Sequence, residues 1–398
     1  MEILNLFFEN WIGGLILMIL MSVIITKACD VFELASDYLG RNLSDGVKGA
    51  TINAIGSSLP EFLTTVFFLI FYANSDIAEG FAASVGGNTG SAIFNSIFIP
   101  MLVIGVVLFT VVGIKGVYIS KKVILRDGLF LIAAEILLLF LLSSDYITMW
   151  HGWVFTLFYL LYIFYTIKTM SVVETDVKSE DIKDPENWYE KYLYSGQDGR
   201  SFRATFLLIY GTLFIALASA GLVKGTEAIS MDLGVNPLFI AFILVAAASS
   251  VPDTIISLKD AKKGNYDDAL SNVLGSNIFD ITISMGLPLA VYLMFTGTTI
   301  DFKDAGQTLI DIRILLIVVT TITFLIFFYS TSLRWPHVYT LAALYLTLII
   351  YAISAGAYHE GVDNFFANAA GSFIEYLNKP AGISDTLRSV ANSITKNW

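Results

Sequence analysis

The sequence predicts an all-α membrane protein whose ten transmembrane helices form two inverted five-helix repeats. Three observations support this fold class. First, apolar stretches long enough to span a bilayer recur along a 398-residue chain that is 56% hydrophobic and only 14% charged, with a mean hydropathy of +0.72. A soluble domain averages about 25% charged residues, and each spanning helix needs about 20 apolar ones. Second, the positive residues favour alternate loops. Third, a pair of short motifs occurs twice, at matching places in two halves.

Charge, Gly, Pro and Asn interrupt the apolar runs and place spans at 10–29, 46–72, 80–110, 123–142, 147–169, 204–230, 235–258, 267–295, 310–330 and 337–357. The first run is followed by further spans and has no small-residue cleavage signature, so it reads as helix 1 rather than a removable leader. Of the 23 Lys and Arg, all but Lys224, Lys303, Arg313, Lys379, Arg388 and Lys396 fall on the odd-numbered loops and adjoining span ends. Positive residues concentrate on the cytoplasmic side, so ten spans with both termini outside fit this asymmetry.

Residues 1–170 then form the first five-helix repeat and 204–357 the second. Between them, 171–203 carries Glu174, Asp176, Glu180, Asp181, Asp184 and Glu186 among its lysines; it is too polar to bury and reads as a cytoplasmic linker. The tail, 358–398, places Phe365, Phe366, Phe373, Ile374 and Leu377 on one helical stripe, as an interfacial amphipathic helix or a loosely ordered tail would.

Several chemistries are excluded. The lone Cys29 rules out a disulfide within the chain and a multi-thiolate site, and His151, His337 and His359 form no HExxH-type motif. A formal net charge of −11 disfavours nucleic acid as a partner and favours cations. No nucleophile–base or metal–histidine constellation points to an enzyme or to a resident cofactor.

The internal repeat carries the chemistry. Gly-Ser-Ser-Leu-Pro-Glu at Gly56–Glu61 matches Ala-Ser-Ser-Val-Pro-Asp at Ala248–Asp253, each in the second span of its half. Gly-Ser-Ala-Ile-Phe-Asn at Gly90–Asn95 matches Gly-Ser-Asn-Ile-Phe-Asp at Gly275–Asp280, each in the third. Five spans separate the copies, so the second copy enters the bilayer from the opposite side, as in transporters with a midplane site.

A proline within a helix frees the carbonyl four residues back: Gly56 for Pro60 and Ala248 for Pro252, with the Ser57 and Ser249 carbonyls in the same distorted turn. Loose carbonyls at membrane depth are tolerated where they line a hydrated or ion-filled cavity. An acid follows each proline, Glu61 or Asp253, with Ser57 and Ser58, or Ser249 and Ser250, on its helix face. Ser91 with Asn95 and Ser276 with Asp280 repeat the four-residue spacing. Carboxylate, amide, hydroxyl and carbonyl oxygens are the ligand types of a hard cation such as Ca²⁺.

Other candidates carry less. Asn88 and Asn277, beside glycines, are weak ligand candidates that read more readily as local caps, while Gly86, Gly87, Gly90 and Gly275 permit close helix contacts. Glu33 and Glu227 occupy matching places before Tyr-Leu-Gly40 and Asp-Leu-Gly234, which suggests a pathway or interhelical role, with a solvated helix end as the slightly preferred reading. Glu135 lies deep in the fourth span, a functional position by default, but lacks an acidic counterpart in the second half, which favours a structural acid.

These boxes resemble the two α-repeats of the calcium/cation antiporter superfamily, which contains the sodium/calcium exchangers; the resemblance covers residues 10–357. It implies that Glu61 and Asp253 are the central Ca²⁺ ligands and that Na⁺ uses the same acids with nearby serines and carbonyls. It also implies side-chain ligation by Ser58, Ser91, Ser250 and Ser276, carbonyl ligation by Ala54, Ser57, Ala246 and Ser249, and polar roles for Asn95 and Asp280. Asp253 stands where many sodium/calcium exchangers have glutamate, and Ala92 where asparagine is usual. Asp253 together with Asp280 is similar to the potassium-dependent branch, which brings K⁺ into consideration. The large regulatory loop of animal exchangers is absent from the short linker.

The expectation is therefore a secondary active antiporter, not an enzyme, that exchanges Ca²⁺ for Na⁺ with K⁺ as a candidate co-ion. Its partners are inorganic cations and the lipid bilayer, and a plasma membrane is inferred. A proton/Ca²⁺ antiporter is the alternative. A cation channel would need a continuous pore, against which discontinuous helices around a closed midplane site argue.

Overall fold

The computed structural model describes residues 10–40, 54–111, 113–169, 185–196 and 198–358. The tail stripe Phe365–Leu377, residues 171–184 and 197 of the linker and residues 46–53 of the expected second span lie outside them.

Helix α1, Trp11–Leu39, is capped by the Asn10 side chain, which accepts from the Gly13 amide. It runs ten residues beyond the span expected at 10–29. The charges that suggested a boundary are instead satisfied on the helix surface: Lys27 lies 3.8 Å from Asp30, and Lys259 reaches Asp30 at 3.3 Å. Along its length α1 packs against α8, Arg200–Leu233. The two cross closely at Gly14, where a Cβ would sit 2.9 Å from the Gly225 carbonyl oxygen.

The second apolar run is broken. The short α2, Ala54–Ser57, stops at Ser58, and α3, Leu59–Phe71, restarts with Pro60 in its first turn, where a missing N–H costs nothing. The matching region of the second half, α9 (Pro237–Ser249) and α10 (Val251–Lys262), breaks at Ser250 with Pro252 in the new first turn and bends by 40°. Two long helices follow these breaks: α4, Ile77–Thr110, and α11, Tyr266–Thr296. Each contains one π turn next to its Gly-Ser-x-Ile-Phe box, at Phe94–Phe98 and Asp280–Ser284; α9 has a third at Ala241–Val245. Such turns insert one residue into a helix and concentrate at functional sites.

The remaining elements frame this centre. Helices α5 (Lys121–Leu141) and α6 (Met149–Thr169) follow α4. Helices α12 (Lys303–Tyr329) and α13 (Trp335–Tyr358) follow α11. A two-residue ribbon pairs β1, Tyr146–Ile147, antiparallel with β2, Ile300–Asp301. In the linker, α7 (Trp188–Leu193) starts with an Asn187–Glu190 capping box and seats Leu193 against Val31, Ala35, Ala204 and Leu207.

Among the described residues, α1, α4, α6, α8, α11, α12 and α13 are each long and apolar enough to cross a membrane, and the bent α9–α10 pair forms one more such segment. Helix α4 packs on α9 through Gly86 and Gly90; a Cβ on Gly86 would lie 2.6 Å from the Leu238 carbonyl oxygen. Outward faces such as Ile19, Leu20 and Val23 of α1 and Leu213 and Leu217 of α8 are exposed and apolar, as a lipid-facing surface requires.

Candidate cation site

The two breaks and two π turns meet at one buried point. Glu61, in the first turn of α3, and Asp253, in the first turn of α10, are both inaccessible to solvent, as are Ser57, Ser58, Ser91, Asn95, Ser249, Ser250, Ser276 and Asp280. Starting a helix with Pro-acid sets each carboxylate near unpaired amides, where a negative charge is favoured.

Contacts within each half are equivalent. Ser91 Oγ lies 3.4 Å from Glu61 Oε1, and Ser276 donates to Asp253 Oδ1 at 2.9 Å. Contacts between the halves lock the two copies together. Ser91 lies 2.8 Å from Ser250 Oγ and donates to Asp280 Oδ2 at 2.8 Å; Ser250 donates to Glu61 Oε1 at 3.5 Å. Ser57 lies 3.3 Å from Ser276 Oγ, and Asn95 Nδ2 donates to Asp253 Oδ2 at 3.0 Å. Each box also sets a serine beside the acid of the other, Ser57 by Asp253 and Ser249 by Glu61, and Ser58 lies by Asp280.

Three acceptors in this cluster are buried without a hydrogen bond: Glu61 Oε2, Asn95 Oδ1 and Asp280 Oδ1. Orphaned buried acceptors are costly, and three acids without a cationic side chain among their contacts are costlier. The chemistry that relieves both is a hard cation held by mixed carboxylate, amide and hydroxyl oxygens. Among the described residues no three His, Cys, Asp or Glu side chains converge tightly enough to hold a metal by themselves, so the serines and Asn95 are integral to any such site.

The two proline-freed carbonyls behave differently from the sequence expectation. Ala248 O accepts from Ser22 Oγ at 2.8 Å, and Gly56 O accepts from Cys29 Sγ at 3.7 Å. Ser22 and Cys29 lie seven residues apart, on one face of α1, so a single helix satisfies both breaks. The Pro60 carbonyl accepts from Ser219 of α8 at 3.4 Å. No motif announces Ser22, Cys29 or Ser219, because each donor belongs to a helix remote in sequence. Ala54 and Ala246 open the short helical turns before the breaks, and Ala246 O accepts from the Ser250 amide at 3.2 Å.

The weaker candidates separate cleanly. Asn88 Nδ2 ties Thr65 Oγ1 (2.9 Å) to the Ser84 carbonyl, and Asn277 Nδ2 bridges to Ser96 Oγ (2.7 Å) and the Ala92 carbonyl, so both brace helices against each other. Glu227 pairs with Lys224 at a partly exposed helix surface. Glu33 is not a solvated helix end: it lies within α1, which continues to Leu39, and is largely buried among Lys259, Asp37 and Asp30.

A helical membrane body with a buried oxygen cluster between two sequence-related halves defines a carrier of inorganic cations. The chain belongs to the sodium/calcium exchanger protein family, whose model matches residues 13–168 and 203–354. An uncharacterized membrane protein of Methanocaldococcus jannaschii is 29% identical over 84% of this chain and 94% of its own length. Sodium/potassium/calcium exchanger 4 of Mus musculus is 36% identical over 26% of this chain, but only 17% of the mouse protein is covered. Among solved structures, an H⁺/Ca²⁺ exchanger superposes with a TM-score of 0.67 at 15% identity, over 96% of this chain and 91% of that one. A sodium-calcium exchanger soaked with Na⁺ and Sr²⁺ superposes at 0.52 with 26% identity, over 85% of this chain and 99% of that one.

Proposed function

We propose that the protein is a secondary active antiporter that exchanges Ca²⁺ for Na⁺ by alternating access, its ten spans forming two inverted five-helix repeats around the buried cluster. The observation that carries this reading is the set of orphaned oxygens, Glu61 Oε2, Asn95 Oδ1 and Asp280 Oδ1, gathered from both halves beside Asp253. In this reading Glu61 and Asp253 are the central Ca²⁺ ligands, and Ser58, Ser91, Ser250, Ser276, Asn95 and Asp280 complete the side-chain shell. The carbonyls of Ala54, Ser57, Ala246 and Ser249 serve the same ions. The protein sits in a plasma membrane with both termini outside and the 171–203 linker in the cytoplasm.

Exchange follows from competition. One set of carboxylates cannot ligate Ca²⁺ and the counter-ions together, and an empty cluster of like charges is too costly to reorient across a low-dielectric interior. The carrier therefore crosses only when loaded.

The deciding experiment is ⁴⁵Ca²⁺ uptake into proteoliposomes under an imposed Na⁺ gradient, an H⁺ gradient, or none. Uptake driven by Na⁺ alone is expected. Uptake driven by H⁺ and indifferent to Na⁺ would make the protein a proton/Ca²⁺ antiporter, and flux without any counter-ion would make it a channel.

A further inference from the structure

Two loops are tied together at the end of the helices opposite β1 and β2. Val117, between α4 and α5, and Leu333, between α12 and α13, exchange both backbone hydrogen bonds at 2.8 Å. Gly116 permits this approach, since a Cβ there would lie 3.0 Å from the Ser332 side chain. The bridge brings Lys115 and the first residues of α5, Lys121 and Lys122, to the same edge as Arg334, and all four side chains are exposed. Two of them are held in place. Lys121 Nζ lies 5.4 Å from the centre of the Phe328 ring of α12, and Arg334 Nε donates to Ser332 Oγ at 3.0 Å.

These charges have no internal counter-ion. Although the chain carries 34 acids and a formal net charge of −11, no acid falls between Glu79 and Asp127 or between Asp311 and Glu360. Arg126 and Asp127 pair with each other at 2.6 Å, and Asp267 of α11 accepts from the Ser120 amide at 2.6 Å. Among the described residues no carboxylate comes within ion-pair distance of Lys115, Lys121, Lys122 or Arg334.

Aromatic side chains fix the depth of this edge. Tyr329 ends α12, Trp335 opens α13 and stacks on Tyr339 at 6.0 Å, and all three are exposed. Exposed Trp and Tyr sit at the headgroup level of a bilayer. One to two turns deeper, Leu325 of α12 and Leu346 of α13 are exposed and apolar, as contact with acyl chains requires.

We propose that Lys115, Lys121, Lys122 and Arg334 bind the phosphate of an anionic phospholipid whose acyl chains lie along α12 and α13. A guanidinium takes phosphate oxygens in pairs and an ammonium adds a point charge, so the two types together suit a phosphate better than a zwitterionic surface. A soluble anion would use the charges but leave the aromatic rim and the apolar faces below it without a role. The lipid uses all three. This site lies outside the central cation cluster and does not depend on which ion drives transport.

The test titrates the full chain in detergent with dioctanoyl phosphatidylglycerol or dioctanoyl phosphatidylcholine and reads bound lipid by native mass spectrometry. Phosphatidylglycerol is expected to bind at least about tenfold more tightly than phosphatidylcholine, since each basic residue near a headgroup adds to the attraction. Lys121→Gln with Arg334→Gln is expected to weaken phosphatidylglycerol at least about tenfold and to leave phosphatidylcholine within about twofold. Lys262→Gln with Lys263→Gln is the control. These exposed lysines end α10 at the same face, where the α10–α11 and α4–α5 loops line one open cleft, and their loss is expected to change binding by less than about twofold. Equal affinity for the two lipids, or undiminished phosphatidylglycerol binding in the Lys121/Arg334 variant, overturns the site. An equal loss in the control overturns it too, in favour of diffuse surface charge, and displacement of the lipid by glycerol phosphate would make it a site for a soluble anion. If the Lys121/Arg334 variant is not monodisperse, Lys115→Gln with Lys122→Gln decides, and unaltered phosphatidylglycerol binding there overturns the site.

Discussion

Asn95 donates its amide to Asp253 across the two halves at 3.0 Å, whereas its counterpart in the second copy, Asp280, has no proton to donate in a mirror bond to Glu61 while both acids are ionised. Asp280 accepts from Ser91 instead, at 2.8 Å. The repeat is thus broken at one position, with a neutral donor on one side of the cluster and an acid on the other. Asn95→Asp removes that donor and sets a fourth carboxylate against Asp253. Like charges at this separation oppose each other strongly. The expected result is a loss of ⁴⁵Ca²⁺ exchange of at least about tenfold, exceeding the loss in Asn95→Ala, which removes the bond without adding charge. Equal activity in the two variants would show that the charge asymmetry has no role.

Glu61→Gln and Asp253→Asn each remove one charge and one strong oxygen ligand from a site that must supply 6–8 oxygens, carboxylates among them. Each is expected to reduce exchange by at least about tenfold while the protein remains extractable and monodisperse. Near-normal uptake by either variant would exclude that residue from the site.

A separate consequence concerns α1. Ser22 satisfies the Ala248 carbonyl at 2.8 Å, and removing the hydroxyl leaves a partly buried acceptor unmet at a cost of about 1 kcal/mol. Cys29 is a weaker donor at 3.7 Å. Ser22→Ala is expected to lower the melting temperature in detergent by a few degrees, Cys29→Ala by less, and Cys29→Ser hardly at all. If Cys29→Ala proves the more damaging, the sulfur contributes through packing rather than through Gly56.

These α1 contacts also mark where the sequence falls silent. The Ser-Ser-x-Pro-acid boxes are legible because a proline, the carbonyl it frees and the acid that follows all lie within six residues. The partners of those carbonyls are not, because Ser22 and Cys29 reach them from another helix. Tertiary contact likewise carries α1 past Lys27 to Leu39, since Lys259 compensates Asp30 from a distant helix. The π turns at Phe94–Phe98 and Asp280–Ser284 have no residue signature, although both adjoin a box the sequence does reveal. Asn88 and Asn277 look like caps by local rules and prove to be cross-helix braces.

The orientation is testable with single cysteines in a Cys29→Ser background, which keeps a donor for Gly56. Lys191, exposed on α7, lies in the linker expected in the cytoplasm, and Ser75, exposed just after α3, is expected on the opposite side. The prediction rests on the alternation of positive residues between loops. Lys191→Cys is expected to react with a membrane-impermeant maleimide only from the cytoplasmic face and Ser75→Cys only from outside. Reversed labelling would invert the topology, and same-side labelling would break the span count.

The last prediction concerns K⁺. Glu61, Asp253 and Asp280 are buried in one cluster, so with all three ionised the site carries three negative charges, and a bound Ca²⁺ leaves one unmatched. An unmatched charge in a low-dielectric interior is expensive, and a monovalent cation beside Ca²⁺ removes that cost. Asp280 Oδ1, which accepts no hydrogen bond, is the oxygen available to such an ion. Asp253 is one methylene shorter than the glutamate of the first box, which withdraws its oxygens by about one C–C bond length and leaves room for a larger ion. K⁺ is therefore expected to stimulate Na⁺-driven Ca²⁺ transport, and Asp280→Asn to abolish the stimulation while exchange itself persists. The measurement is ⁴⁵Ca²⁺ uptake with membrane potential clamped, in K⁺ and then in choline. Equal wild-type rates in the two would mean that the third charge is neutralised by a proton and that K⁺ has no place in the cycle.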